Sequence, residues 1–134
     1  MILYINTTAP DEMIIALRSE TKTMARRKIK SVRNQAEKLV PAIDALLKKN
    51  KIKLSALKKI IVAARGGSFT SLRIGVITAN ALAYALKIPV EAEEINDENG
   101  KKFLIRTKKF GIYSLVEPLY DREPTIGQSK KPLP

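Results

Sequence analysis

The sequence predicts an α/β fold: three antiparallel strands, two main helices and a parallel strand, with a short β meander towards the C-terminal end. Three observations predict it. Short β-rich segments separated by turn residues occupy the chain as far as Lys30. Between Asn34 and Lys49 the apolar spacing then changes to a helical period. A wholly apolar run, IIVAA, next leads through a glycine pair into a long apolar stretch. With 134 residues and a hydrophobic content of 45%, the chain fits one domain that buries roughly two thirds of its unfolded surface.

ILYIN (Ile2 to Asn6) reads as a buried strand, and TTAPDE as a turn through Pro10 and Asp11. MIIALRS (Met13 to Ser19) is a second strand, linked to the first as a hairpin. TKTMARRKIK (Thr21 to Lys30) is a third, more polar strand. Alternation puts Lys22, Met24, Arg26, Lys28 and Lys30 on one face, which must meet solvent or RNA. The first helix runs from Asn34 to about Lys49. Ala36, Leu39, Val40, Ile43, Leu46 and Leu47 form a stripe about 120° wide. Asn34 suits its cap, and Lys48 and Lys49 suit the negative end of its dipole. Pro41 lies inside it and is expected to kink it, having no N–H for the Glu37 carbonyl.

A turn with Ser55 as a cap precedes KIIVAAR (Lys59 to Arg65), a strand without alternation and so covered on both faces. The second helix spans about Ser68 to Leu86. Arg73, Asn80, Tyr84 and Lys87 crowd into a stripe about 60° wide, leaving nearly all the rest apolar or small. Gly75, Ala79 and Ala83, four apart, make a smooth edge that another helix can approach closely. Burial of this helix within one chain is the alternative, but so small a chain has few elements to cover it. PVEAEEI (Pro89 to Ile95), the turn NDENG, KKFLIRT (Lys101 to Thr107) and FGIYSLVE (Phe110 to Glu117) form the meander, and an irregular tail rich in Pro follows.

Composition removes several chemistries. The chain has no Cys and no His, which excludes a structural zinc site, a cysteine nucleophile and a Ser-His-Asp triad. The N-terminus has no basic lead or long apolar core of a signal peptide, and the apolar run Ile74 to Leu86 is too short to span a bilayer. A soluble, cytoplasmic protein is expected, without membrane contact, cofactor or metal. The net charge of +12 fits a polyanionic partner and equally a solvated basic surface.

RGGSFTSLRIG, Arg65 to Gly75, lies where phosphate loops occur. A Walker loop needs a lysine after its second glycine, and none follows Gly67; the dinucleotide fingerprint fails on glycine spacing. What remains for an anion or nucleotide is a helix start bearing Gly66, Gly67, Ser68 and Thr70. Ser68 more simply serves as the N-cap.

GSFTSLRIG after a buried strand, followed by an Ala- and Leu-rich helix, resembles the GPGSFTGLRIG signature of the bacterial TsaB (YeaZ) family. ILYINTTAPDEMIIAL is similar to the family's opening hairpin, EKLVPAIDALLKKNKIKLSALKKIIVAARGGSFT to its first helix and next strand, and VEPLYDREP to its close. The resemblance implies an actin-like (ASKHA) domain. It also implies a non-catalytic partner of the homologous TsaD subunit, which transfers threonylcarbamoyl to tRNA adenosine beside the anticodon, with a TsaE ATPase joining the complex. Contact with tRNA would then be indirect. Pairing with TsaD, or with a second copy as a homodimer, would use the two helices. The expected interface is Leu39, Ile43, Leu46, Leu47, Leu72, Gly75, Val76, Ala79 and Ala83.

Four departures stand out. The acidic residue of the family's IDTS opening is Asn6, its GPG is Arg65-Gly66-Gly67, its glycine after GSFT is Ser71, and Gln35 and Ala36 replace a frequent His-Ser or His-Thr. Relatives also carry a second domain of comparable size. The chain therefore reads as a shortened member: an actin-like domain over 1–95, a remnant β meander of the second domain over 96–118, and an irregular tail over 119–134. The rival reading is a basic RNA-binding module using Lys22, Arg26, Lys28 and Lys30, without interleaved aromatics for base stacking.

Overall fold

Apolar alternation over Ile2–Asn6 (β1) and Glu12–Arg18 (β2) places Leu3, Ile5, Met13, Ile15 and Leu17 on one face, all fully buried. These strands form an antiparallel hairpin in register Leu3↔Leu17 and Ile5↔Ile15. The computed structural model describes residues 1–9, 11–31, 34–64, 69–93, 95–96, 102–103, 107–110 and 113–117. Thr23–Lys30 (β3) adds a second antiparallel partner to β2, and Lys59–Val62 (β4) pairs parallel to β1, Leu3↔Ile60 and Ile5↔Val62. Val90–Ala92 (β5) pairs parallel to β4. The resulting sheet has the order β3-β2-β1-β4-β5. This is the strand order and direction expected of an actin-like domain, built as a single α/β unit.

The helices Gln35–Lys49 (α1) and Phe69–Leu86 (α2) connect β3 to β4 and β4 to β5. Both pack on the apolar sheet face and on each other. Helix α1 continues through Pro41 as one element. Glu37 and Pro41 are both exposed, so the carbonyl deprived of its N–H lies on the solvent side. Asn34 occupies the N-cap position but makes no side-chain capping bond. Both helices end alike: Lys51 (φ 56) and Lys87 (φ 58) turn left-handed, and the following Ile52 and Ile88 donate backbone N–H to Leu47 and Ala83.

Beyond the main sheet, Ile95–Asn96 (β6) pairs with Lys102–Phe103 (β7), and Thr107–Phe110 (β8) with Tyr113–Val116 (β9). The expected meander thus consists of two separate antiparallel pairs, while its first segment joins the main sheet as β5. Asn80 of α2 fixes β9: its amide donates to the Val116 carbonyl at 3.0 Å and its oxygen accepts from the Val116 N–H at 2.9 Å. Val116 is thereby sealed into the common core. The NDENG turn beyond Asn96, the Arg65 end of the fourth strand and the tail over 119–134 lie outside the described residues.

One expectation about β3 is corrected. The register moves from Leu17↔Ala25 to Arg18↔Thr23, so Met24 is an extra residue and a bulge interrupts the alternation. Arg26, Lys28 and Lys30 share the sheet face away from the helices, opposite Ala16, Ile14 and Glu12. Lys22 lies before the strand, in a turn held by Ser19, and is not part of that row.

Candidate functional site

The end of β1 and the first turn of α2 meet in a buried polar cluster. Thr7 is fully buried and donates its hydroxyl to the Ser71 carbonyl. The Ser71 hydroxyl in turn donates to Gln35 Oε1 at 2.8 Å, and Gln35 Nε2 donates to the Ala9 carbonyl at 2.9 Å. Buried polar atoms require such partners, so this chain ties the β1–β2 turn, the start of α1 and the start of α2 together. Two of the four departures from the family pattern, Gln35 and Ser71, are therefore bonded to each other. Sequence reading named both residues but had no signal for their contact.

Gly75 completes the junction. A Cβ there would overlap Thr7 Oγ1 and stand 3.3 Å from Thr7 Cβ and Cγ2. The last glycine of GSFTSLRIG is thus required by the approach of β1 to α2 within the chain. Thr70 is exposed on the first turn of α2. Gly66, Gly67 and Ser68, expected with it to hold an anion, lie outside the described residues, as does the capping role of Ser68.

Asn6 is committed to its own neighbours. Its Oδ1 accepts from the Thr8 N–H at 2.9 Å and from the Thr8 hydroxyl at 2.7 Å, and its Nδ2 donates to Tyr4 Oη at 3.0 Å. Tyr4 donates to Glu93 Oε1 at 3.0 Å, and the Arg18 guanidinium lies 4.0 Å from the centre of its ring. Burial first, then the Glu93 carboxylate, pushes the Tyr4 hydroxyl from its usual 10.0 to about 12. Tyr4 therefore keeps its proton at neutral pH and acts as a donor, not as a nucleophile. Among the described residues no three Asp, Glu, His or Cys side chains converge as metal ligands.

The expected partner interface needs correction. Leu39, Ile43, Leu46 and Leu47 of α1 and Leu72, Val76, Ala79 and Ala83 of α2 all lie in the chain's own core, and Gly75 packs on Thr7. The small-residue edge that looked open to another helix is already occupied. The reason is the close seating of α2 on β1 and β4, which small residues permit. The outward side of the helices is what remains uncovered. It exposes Val40 (51%), Ile77 (58%) and Tyr84 (66%), with exposed Ala81 between the last two along α2 and exposed Ala85 after Tyr84. Asn80 and Tyr84 do not form one exposed polar stripe, because Asn80 turns to β9 while Tyr84 points outward.

Of the cations expected to contact RNA, Arg26, Lys28 and Lys30 form one row on β3, but Lys28 is paired with Glu12 at 3.2 Å. No helix among the described residues is long and apolar enough to cross a membrane.

A family model described as TsaD, tRNA N6-adenosine threonylcarbamoyltransferase, matches residues 28–92. The tRNA threonylcarbamoyladenosine biosynthesis protein TsaB of Bacillus subtilis is 33% identical over 110 residues, which cover 80% of this chain and 44% of that protein. An uncharacterised protein of Mycobacterium tuberculosis is 32% identical over 90 residues, 66% of this chain and 43% of its own. Two solved structures from Pseudomonas aeruginosa share the fold at 29% identity. One is described as an uncharacterised protein similar to peptidase YeaZ (TM-score 0.63), the other as YeaZ (TM-score 0.61). Each alignment covers 69% of this chain and 42% of the other. The aligned part of the chain spans less than half the length of the relatives it matches.

Proposed function

Because the chain belongs to the TsaB (YeaZ) family, we propose that it is a non-catalytic docking subunit of the machinery that threonylcarbamoylates tRNA adenosine. The observation that carries this reading is the uncovered outer face of the helix pair. A helix normally needs one apolar face; α2 buries one against the sheet and keeps Ile77 and Tyr84 exposed on the other. On α1, Val40 adds a third large side chain to the exposed side. The proposed partner is a TsaD-like subunit, whose family model matches residues 28–92 of this chain. A second copy of this chain is the competing occupant, and a TsaE-like ATPase would join only the assembled complex. The site is set in the cytoplasm, where the tRNA is.

The non-catalytic part is supported by the chemistry of the chain. Without His or Cys it has no thiol or imidazole for peptide hydrolysis, despite the peptidase wording attached to one structural relative. Asn6 stands at the position of the family's acidic residue, and both ends of its amide are used internally. No carboxylate is therefore offered there to a hydrated Mg²⁺.

Purification of the tagged chain from its native cell, with bound proteins identified by mass, tests this function. A threonylcarbamoyltransferase subunit recovered in about equal amount supports it. Recovery of the chain alone, with unchanged threonylcarbamoyladenosine in tRNA after deletion of its gene, contradicts it.

A further inference from the structure

β3 is an edge strand of the main sheet, and its exposed side chains are mainly cations. Strand geometry sets Arg26, Lys28 and Lys30 about 6.6 Å apart on the face away from the helices. Arg27, one residue out of phase, lies on the helix side of the same edge, opposite Ile15. There the end of α1 brings Lys49 and Asn50 beside it. Ala25, Arg26, Arg27, Leu46, Lys49 and Asn50 line an open cleft of about 510 Å³. Cations therefore surround the edge from both faces.

Two acidic groups of this region are already used. Glu12 holds Lys28 at 3.2 Å, and Asp44 holds Lys48 at 2.9 Å. Among the described residues Arg26, Arg27, Lys30 and Lys49 form no ion pair, although all four are exposed. The Arg27 guanidinium and the Lys49 ammonium at one cleft suit phosphate oxygens, which accept from the planar arginine fork in pairs. We infer that the β3 edge, with the cleft between Arg27 and Lys49, binds the phosphodiester backbone of an RNA strand.

The 6.6 Å interval of the outer row is close to that of neighbouring phosphates along one strand. An acidic protein strand adding to the sheet is the main competitor. The bulge at Met24 disfavours it, because it breaks the straight ladder that strand addition needs, whereas a flexible phosphodiester chain can follow the bend. Few aromatics are available for stacking, and Met24 is the large apolar side chain exposed on this strand. Binding should accordingly be indifferent to base sequence. This surface is separate from the outer helix face, and binding by the isolated chain is independent of docking.

The test uses the purified chain and a fluorescent homopolymeric RNA, with anisotropy followed over a salt series. Arg27→Ala with Lys49→Ala is compared with Lys58→Ala with Lys87→Ala, which removes the same charge elsewhere. Circular dichroism establishes that both variants are folded. Each lost contact to a single strand should reduce the slope of log K against log salt by about 0.7, so the cleft variant should lose about 1.4 and the control should keep its slope. Equal losses in both variants would mean that only net charge attracts RNA, and would overturn the site. No RNA binding by the wild type at low salt, or tighter binding of polyglutamate than of RNA, would overturn it as well.

Discussion

Gly75→Ala should destabilise the protein, although alanine is ordinarily the better helix residue. In a helix interior the change alone stabilises by about 1 kcal/mol. Here the new methyl would overlap Thr7 Oγ1 and press on Thr7 Cβ and Cγ2 at 3.3 Å. Thr7 is fully buried, and its hydroxyl is held by the Ser71 carbonyl, so it cannot turn away without losing that bond. Overpacking of this kind costs about 1–3 kcal/mol, and an unpartnered buried hydroxyl costs a similar amount. The net effect is a loss of about 1–2 kcal/mol, or roughly 4–8 °C in Tm for a domain of this size. Thr7→Ala removes Oγ1 and Cγ2 and should cost about 1 kcal/mol by itself. In that background Gly75→Ala should become neutral or stabilising, since only the Cβ contact at 3.3 Å remains. Thermal and urea unfolding of the four proteins yield the coupling, expected at about 2 kcal/mol. Additive effects, or a stabilising Gly75→Ala in the wild type, would refute the packing argument.

Ala79→Arg should unfold the chain rather than dissociate an assembly, because Ala79 is fully buried in the core and an unpaired charge there has no partner; loss of the far-ultraviolet circular dichroism signal checks it. Tyr4→Phe should remove an alkaline dependence of stability. The folded hydroxyl titrates near 12 rather than 10.0, so its contribution is complete below pH 10 and falls as pH rises towards 12. The fall, reduced by solvent screening of a hydroxyl that is not fully enclosed, is at most about 2 kcal/mol relative to the variant in urea titrations across that window. Lys87→Gly should stabilise by about 1 kcal/mol, since the residue has φ 58, read as a rise of several degrees in Tm.

Hydrophobic spacing made the strands and both helices legible, because period two and period 3.6 leave different patterns in Ile2–Leu17 and Leu39–Leu47. It did not tell which side of α2 meets the sheet. A helical wheel shows how wide an apolar stripe is, whereas the sheet's position decides which part of it is covered. Ala79 and Ala83 therefore read as a free edge although they are core residues. Contacts between distant residues were also hidden: Thr7 and Ser71 are 64 positions apart, and Gln35 and Ser71 are 36 apart. Their type signals only polarity, while burial makes them a clamp. The bulge at Met24 left no mark in composition, and so moved Lys22 out of a row that strict alternation had included.

We propose that the outer face of α1 and α2 docks a TsaD-like subunit. Sedimentation of the purified chain with that subunit from the same cell tests it most directly, using wild type and an Ile77→Asp, Tyr84→Asp double variant. A standard interface buries roughly 800 Å² on each side, and two carboxylates at its centre would be left unpaired. The account predicts a wild-type complex, and a folded variant that sediments alone with its thermal transition essentially unchanged. A wild-type chain that ignores the subunit at high concentration, or a folded variant that binds it as well as wild type does, would contradict the account.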